Sequence, residues 1–175
     1  MTAARQVEAA RAASRAVDPV VRGYRGEVRD VKALVERARG KPLALFRADR
    51  VYGAPHLLHA AALARRAFDE GRARTSDLPT ETLVYAAGER QVHKALALLG
   101  VTVVTRELAA VAWDAAALDA LALELGWERD DEVLAGDERA LDALGVTREE
   151  RAMLPRARWG ELVLERVALS DVLKA

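Results

Sequence analysis

Apolar residues recur along the chain in short runs separated by segments with helical spacing. Runs that alternate or are continuously apolar predict four strands, at Val20–Val28, Leu43–Asp49, 81–87 and Val101–Leu108. Apolar positions three and four residues apart predict helices between them, at 29–39, 55–70 and 89–99. In the 89–99 helix the inward side is expected to carry Val92, Ala95, Leu96 and Leu99. This order predicts a sheet covered by helices.

The rest of the chain is helical in pattern and rich in acidic residues. Helices are predicted at 114–125, 137–144 and 159–174, with a turn at 147–153. The expected fold class is therefore a mixed α/β (α+β) domain. It has a small, mainly antiparallel sheet of about four strands and a helical C-terminal part. Asp18-Pro19 separates an Ala-rich extension at 1–18, expected to be a weak helix, from a single domain at 19–175.

The last predicted helix is apolar on nearly all sides. Leu162 and Leu169 lie on one side together with Leu173, while Val163 and Val167 lie on another. A helix at the surface of a domain normally has a single apolar stripe. The pattern therefore leaves two alternatives, a helix buried within its own domain or a helix with one face packed on another protein.

Composition excludes several classes of protein. The chain has no cysteine, which excludes thiol catalysis and zinc–thiolate or iron–sulfur sites. No apolar run reaches the roughly 20 residues that span a bilayer, and the mixed-charge N-terminus does not resemble a signal peptide. We therefore expect a cytoplasmic protein that does not bind a membrane.

The net charge of zero hides an asymmetry along the chain. Residues 1–100 contain 18 Lys and Arg against 11 Asp and Glu, whereas residues 101–175 contain 9 against 16. The first part has a net charge of +7 and the second of −7. This division suggests that the basic part meets phosphate groups and that the acidic part faces away from them or meets a basic protein.

The sequence contains no pattern typical of an enzyme. Neither a Walker loop nor a Rossmann turn is present, and Ser14, Ser76 and Ser170 have no nearby base. His56 and His59 lie one helical turn apart without a third ligand, which favours ordinary histidines over a metal site. The sequence does not exclude a pair of catalytic carboxylates. We expect a protein that is not an enzyme and uses no cofactor, metal or small-molecule substrate.

Polar, hydrogen-bonding side chains concentrate after residue 87. The predicted strand 81–87 is followed by Gly88 and by a helix whose first turn contains Arg90, Gln91, His93 and Lys94. A strand that enters a helix through a glycine leaves free N–H groups at the positive end of the helix dipole, where an anion such as phosphate can bind. The alternatives are a turn that simply needs a glycine and an ordinary solvated helix face.

Several ordered segments resemble one known family. They are Tyr24-Arg-Gly-Glu-Val, His56-Leu-Leu-His-Ala, Leu83-Val-Tyr-Ala-Ala-Gly-Glu-Arg-Gln-Val-His-Lys, Gly145-Val-Thr and Leu164-Glu-Arg-Val-Ala-Leu. Together they resemble the small non-catalytic subunit of the KEOPS complex, the family of the PRPK-binding protein, over residues 20–174. This chain has Val92 where the family has Ile and Ala87 where Ser is common. The complex's distribution suggests an archaeal origin.

The resemblance implies a function in tRNA modification. The family's member binds the 3′ CCA tail of tRNA and the kinase-like ATPase of a complex that installs threonylcarbamoyladenosine. Carried to this sequence, the RNA contacts would be Gly88, Arg90, Gln91, His93, Lys94 and His56, with a basic rim of Arg65, Arg66, Arg72 and Arg74. The contacts with the kinase-like subunit would be Leu162, Val163, Val167 and Leu169. The alternative is a protein that binds only the kinase-like subunit, without RNA.

Overall fold

A four-stranded antiparallel sheet forms the centre of the protein, with helices on both faces. The computed structural model describes residues 17–172, so the predicted helix within 1–16 and the end of the last helix lie outside the described residues. The strands are β1 (Val20–Arg25), β2 (Leu43–Arg47), β3 (Glu107–Ala112) and β4 (Glu128–Arg129). Their order in the sheet is β2-β3-β1-β4, so the α+β class with a small antiparallel sheet is confirmed.

Eight α-helices lie within residues 17–172. They are α1 (Val31–Ala38), α2 (Gly53–Asp69), α3 (Leu78–Ala86), α4 (Val92–Leu99), α5 (Ala115–Leu125), α6 (Glu138–Ala143), α7 (Arg148–Ala152) and α8 (Trp159–Val172). Asp30, Asp77, Asp114, Asp137 and Thr147 cap the first turns of α1, α3, α5, α6 and α7 by accepting backbone N–H bonds. Short polar residues before apolar runs therefore define where these helices begin.

Strand β3 is central and carries small residues. Val20 of β1 pairs with Ala112, and Leu43 of β2 pairs with the same residue from the other side. Residues Leu108–Ala112 are fully buried or nearly so, because α2 and α3 cover one face of the sheet and α1 and α5 cover the other. Alanines let these helices approach the strand closely.

Two of the four predicted strands are wrong, one in its type of structure and the other in its position. Residues 81–86 are helical, because Asp77 and Pro79 start α3 just before them and its side chains are buried on every side. A continuous apolar run of this kind does not distinguish a buried strand from a buried helix. The strand predicted at Val101–Leu108 starts only at Glu107, because Thr105 accepts the Thr102 N–H and closes a turn before it.

Gly26, within the Tyr24-Arg-Gly-Glu-Val segment, is a point of close approach. A side chain added there would lie 2.1 Å from Cδ1 of Trp127. The Trp127 ring also packs against Tyr24, with 6.2 Å between ring centroids, and its indole N–H donates to the Glu27 carbonyl. This glycine therefore allows the segment after α5 to close over the end of β1.

Candidate functional site

Gly88 lies between two helices, so the predicted strand–glycine–helix corner is wrong. The residue has a positive φ of 64° directly after α3, and its N–H donates to the Tyr85 carbonyl at 2.9 Å. The N–H of Glu89, the next residue, donates to the Val84 carbonyl at 3.1 Å. These two bonds form the usual left-handed glycine ending of a helix. Because the N–H of Gly88 is already bonded to Tyr85, it is not one of the free donors that were predicted at this corner.

The start of α4 has the free backbone N–H groups that were predicted for the corner at Gly88. Gln91 occupies the capping position without a side-chain bond to the backbone. Within residues 17–172, no acceptor takes the N–H groups of Val92 and His93. Arg90, Gln91, His93 and Lys94 are all exposed around this helix start. The free N–H groups of Val92 and His93 thus lie four and five residues after Gly88, beside the cationic side chains of Arg90 and Lys94.

Arg74 is held beside the start of α4 by contacts that the sequence does not reveal. Its guanidinium donates to the Glu89 carbonyl at 2.7 Å and lies 5.4 Å from the centre of the Tyr85 ring. The buried carboxylate of Glu81 accepts the backbone N–H groups of Arg74 and Thr75 at 3.0 and 2.9 Å, which fixes the loop. Burial lowers the pKa of Arg74, and the nearby charge of Arg90 acts in the same direction.

The other predicted basic residues are already paired within the protein. Arg66 contacts Asp171 at 2.5 Å, and Arg72 contacts the same carboxylate at 3.1 Å. The Tyr85 hydroxyl donates to it at 2.6 Å. Burial opposes ionisation here, but these three donors still lower the pKa of Asp171. Arg65 instead donates to the Val17 carbonyl and lies 3.8 Å from Asp18.

His56 is fully buried, so its predicted contact with RNA is wrong. Its Nδ1 accepts the Tyr52 N–H at 3.2 Å, and its Nε2 lies 2.8 Å from the Ala86 carbonyl. Since Nδ1 is an acceptor, the proton is on Nε2, and the ring is neutral. Burial lowers the pKa of His56 to about 4. The residue joins the start of α2 to the end of α3.

An apolar groove borders the same region, and no pattern in the sequence predicts it. Val92 and Leu96 were predicted to face inward, but both are exposed, Leu96 by 51%, and only Ala95 and Leu99 of that set are buried. Leu96 lines a groove of about 800 Å³ along β2. Its walls come from α1, α3 and α4, among them Leu34, Val35, Leu78, Pro79 and Leu83. The apolar residues of α4 have the predicted helical spacing, but Leu96 faces this groove and not the core.

Helix α8 buries two of the four side chains predicted to contact a partner. Val163 and Val167 are fully buried, so their assignment to a partner surface is wrong, and Leu162 is half-buried against the cluster of Leu141 and Val163. Leu169 is 37% exposed, as a contact residue must be. The exposed face of α8, defined by Glu161, Glu165, Leu169 and Val172, is acidic in its first half and apolar in its second. Val172, which is 69% exposed, was not predicted.

Between residues 17 and 172, His, Asp and Glu side chains form no group of three or more that could hold a metal ion. In the same stretch, no helix combines the length and apolar character needed to cross a bilayer.

Comparison with known proteins identifies a family but no individual relative. Residues 27–145 match the family described as kinase binding protein CGI-121. This range includes the candidate RNA-contacting side chains of α4, whereas α8 lies after it. No curated protein matches the chain. Because the match covers more than half of the sequence, the chain belongs to the family of kinase binding protein CGI-121, as its resemblance to the KEOPS small subunit implied.

Proposed function

We propose that this protein is a non-catalytic KEOPS subunit that binds the 3′ CCA tail of tRNA and the kinase-like ATPase of the complex. In this role it supports threonylcarbamoyladenosine modification, while another subunit performs the chemistry. The observation that carries the RNA part is the exposed group of Arg90, Gln91, His93 and Lys94 around the uncapped start of α4.

The chemistry of this group fits a single strand of RNA. Arg90 and Lys94 supply charge for the phosphates, and the free N–H groups of Val92 and His93 supply hydrogen bonds. Gln91 and His93 can bond or stack on bases that are not paired. Leu96 lies one helical turn after Val92 and opens the apolar groove, which offers a surface for an unpaired base.

Kinase binding is supported by the family and by the exposed face of α8. The family is described as kinase-binding. Leu169 and Val172 leave apolar surface in solvent next to the acidic Glu165. This surface fits a partner with an apolar patch bordered by basic residues.

Gel-shift titrations with intact tRNA and with the same tRNA trimmed of its CCA test the RNA part. We expect the trimmed tRNA to bind at least tenfold more weakly, because the single-stranded contacts are lost. Equal affinity for the two would contradict recognition of the CCA tail. Titrations at several salt concentrations should show affinity falling with salt, by about 0.7 in log–log slope for each phosphate contacted on a single strand.

The second candidate is a regulator that binds the kinase-like subunit but not RNA. The exposed apolar end of α8 favours it, since this surface needs no nucleic acid. In that case neither tRNA would bind at physiological salt, while the complex with the kinase-like ATPase would still form. The two measurements together therefore distinguish the candidates.

A further inference from the structure

The carboxylate of Asp171 occupies a central position among basic side chains that RNA would need. Asp171 is on the last turn of α8, yet it contacts Arg66 at the end of α2 and Arg72 in the following loop. Its side chain is only 10% exposed, whereas Arg66 and Arg72 are 53% and 40% exposed. The arginines thus reach solvent while the acid that neutralises them stays covered.

We propose that Asp171 acts as an internal competitor of RNA phosphate for Arg66 and Arg72. This inference rests on the proposed RNA binding and adds a residue that sets its strength. A carboxylate and a phosphate both accept hydrogen bonds from the same guanidinium donors. An RNA phosphate can therefore bind Arg66 or Arg72 only when that arginine leaves Asp171. Arg72 is further restrained by Glu70, which accepts from its Nε at 2.7 Å.

Asp171 lies near the exposed apolar end of α8, and its side chain is directed to the arginines of α2 and the following loop. It lies two residues after Leu169 and one before Val172, the exposed apolar residues of α8. The Tyr85 hydroxyl also donates to it, and Tyr85 lies beneath the Arg74 guanidinium. Asp171 therefore joins the last turn of α8 to Arg66 and Arg72 and, through Tyr85, to the end of α3 beside Arg74.

Asp171→Asn tests the competition by a gain of affinity, which a misfolded protein would not produce. We expect the full chain carrying this change to bind tRNA about three to ten times more tightly than wild type. Its salt dependence should be steeper by about 0.7 to 1.4, the contribution of one or two further single-strand phosphates. Asp119→Asn is the matched control, because Asp119 pairs with Arg22 on the opposite face of the sheet and the change in net charge is the same.

Equal or weaker binding by Asp171→Asn than by Asp119→Asn would overturn the inference. Hydrogen exchange on wild-type protein gives a second measurement that does not depend on the variant folding. RNA that takes Arg66 and Arg72 from Asp171 should speed exchange of the amides at 168–172, whereas unchanged or slower exchange there contradicts the competition. If wild type and both variants bind no tRNA, the proposed function fails together with this inference. If wild type binds and Asp171→Asn does not differ from the control, only the inference fails.

Discussion

At the scale of single residues, His56 connects two helices through a neutral ring. Protonation of this ring lowers the stability of the fold. Its neutral ring accepts from Tyr52 and donates to Ala86, with no water-exposed surface. Burial places its pKa near 4, well below the value of about 6.5 in an unfolded chain. The unfolded state therefore binds more protons between these two pKa values, and the stability associated with the neutral ring is lost as pH falls from 6.5 towards 4.

We expect acid to destabilise this protein partly through His56. Across the window between the two pKa values, the loss amounts to about 3 kcal/mol, at about 1.4 kcal/mol per pH unit. Urea unfolding of wild type and His56→Gln at pH 7.5 and 4.5 measures it, since glutamine keeps a donor for Ala86 but does not titrate. The free energy of unfolding should fall less in the variant. An identical fall in both proteins would show that other groups account for the acid sensitivity.

At the scale of elements, α3 and α8 show what an apolar sequence leaves open. Both are apolar on nearly all sides, but α3 is covered throughout, whereas α8 exposes Glu161, Glu165, Leu169 and Val172 on one face. That spacing, at four, four and three residues, is one side of a helix. Burial on the other sides assigns Val163 and Val167 to packing and leaves the exposed face for a partner.

Two substitutions on α8 should therefore have different effects. Leu169→Glu places a charge on the exposed face and should weaken binding to the kinase-like ATPase by more than tenfold without a large change in stability. Val167→Glu buries an unpaired carboxylate and should cost about 3 kcal/mol or more of folding free energy. Calorimetric titration against the ATPase, with thermal unfolding of each variant, separates the two effects.

Leu123→Glu is the control for that comparison, since Leu123 on α5 is strongly exposed and lies on the helix layer of the other sheet face. It should leave both binding and stability near wild type. Normal binding by a folded Leu169→Glu protein would remove α8 from the proposed interface.

At the scale of the whole molecule, folding mixes the two oppositely charged parts of the sequence. Arg37 pairs with Glu124, Arg22 with Asp119, and Arg66 and Arg72 with Asp171. The two oppositely charged parts of the sequence therefore do not form separate surfaces at these positions. What remains as unpaired positive charge in the described chain includes Arg90 and Lys94, near the partly buried Arg74.

We expect RNA affinity to follow this local charge and not the charge of the whole chain. Arg90→Ala should weaken tRNA binding by about three- to tenfold and reduce the salt slope by about 0.7, because one single-strand phosphate contact is lost. Arg148→Ala removes the same charge from an exposed position on α7 and should have little effect. Filter-binding titrations at several salt concentrations measure both. Equal losses in the two variants would indicate attraction by net charge alone.

How far the sequence predicts this structure depends on whether an element has one exposed side. Helix α2 was placed within two residues, because its stripe and Gly71 define it locally. The sequence of α3 predicts a strand, since complete burial removes the periodicity that distinguishes a helix from a strand. The alanines at the end of β3 were missed, because a low strand propensity is outweighed by packing between two helix layers.

The sequence by itself determined the family, the α+β class and the exposed cationic group after Gly88, because these depend on local order along the chain. Only the tertiary structure decided that His56 is buried, that the free N–H groups belong to the start of α4, and that Asp171 holds Arg66 and Arg72. The carboxylate and these arginines are 105 and 99 positions apart. A contact between groups so distant in sequence follows from the packing of helices, which leaves no local periodic signal in the sequence.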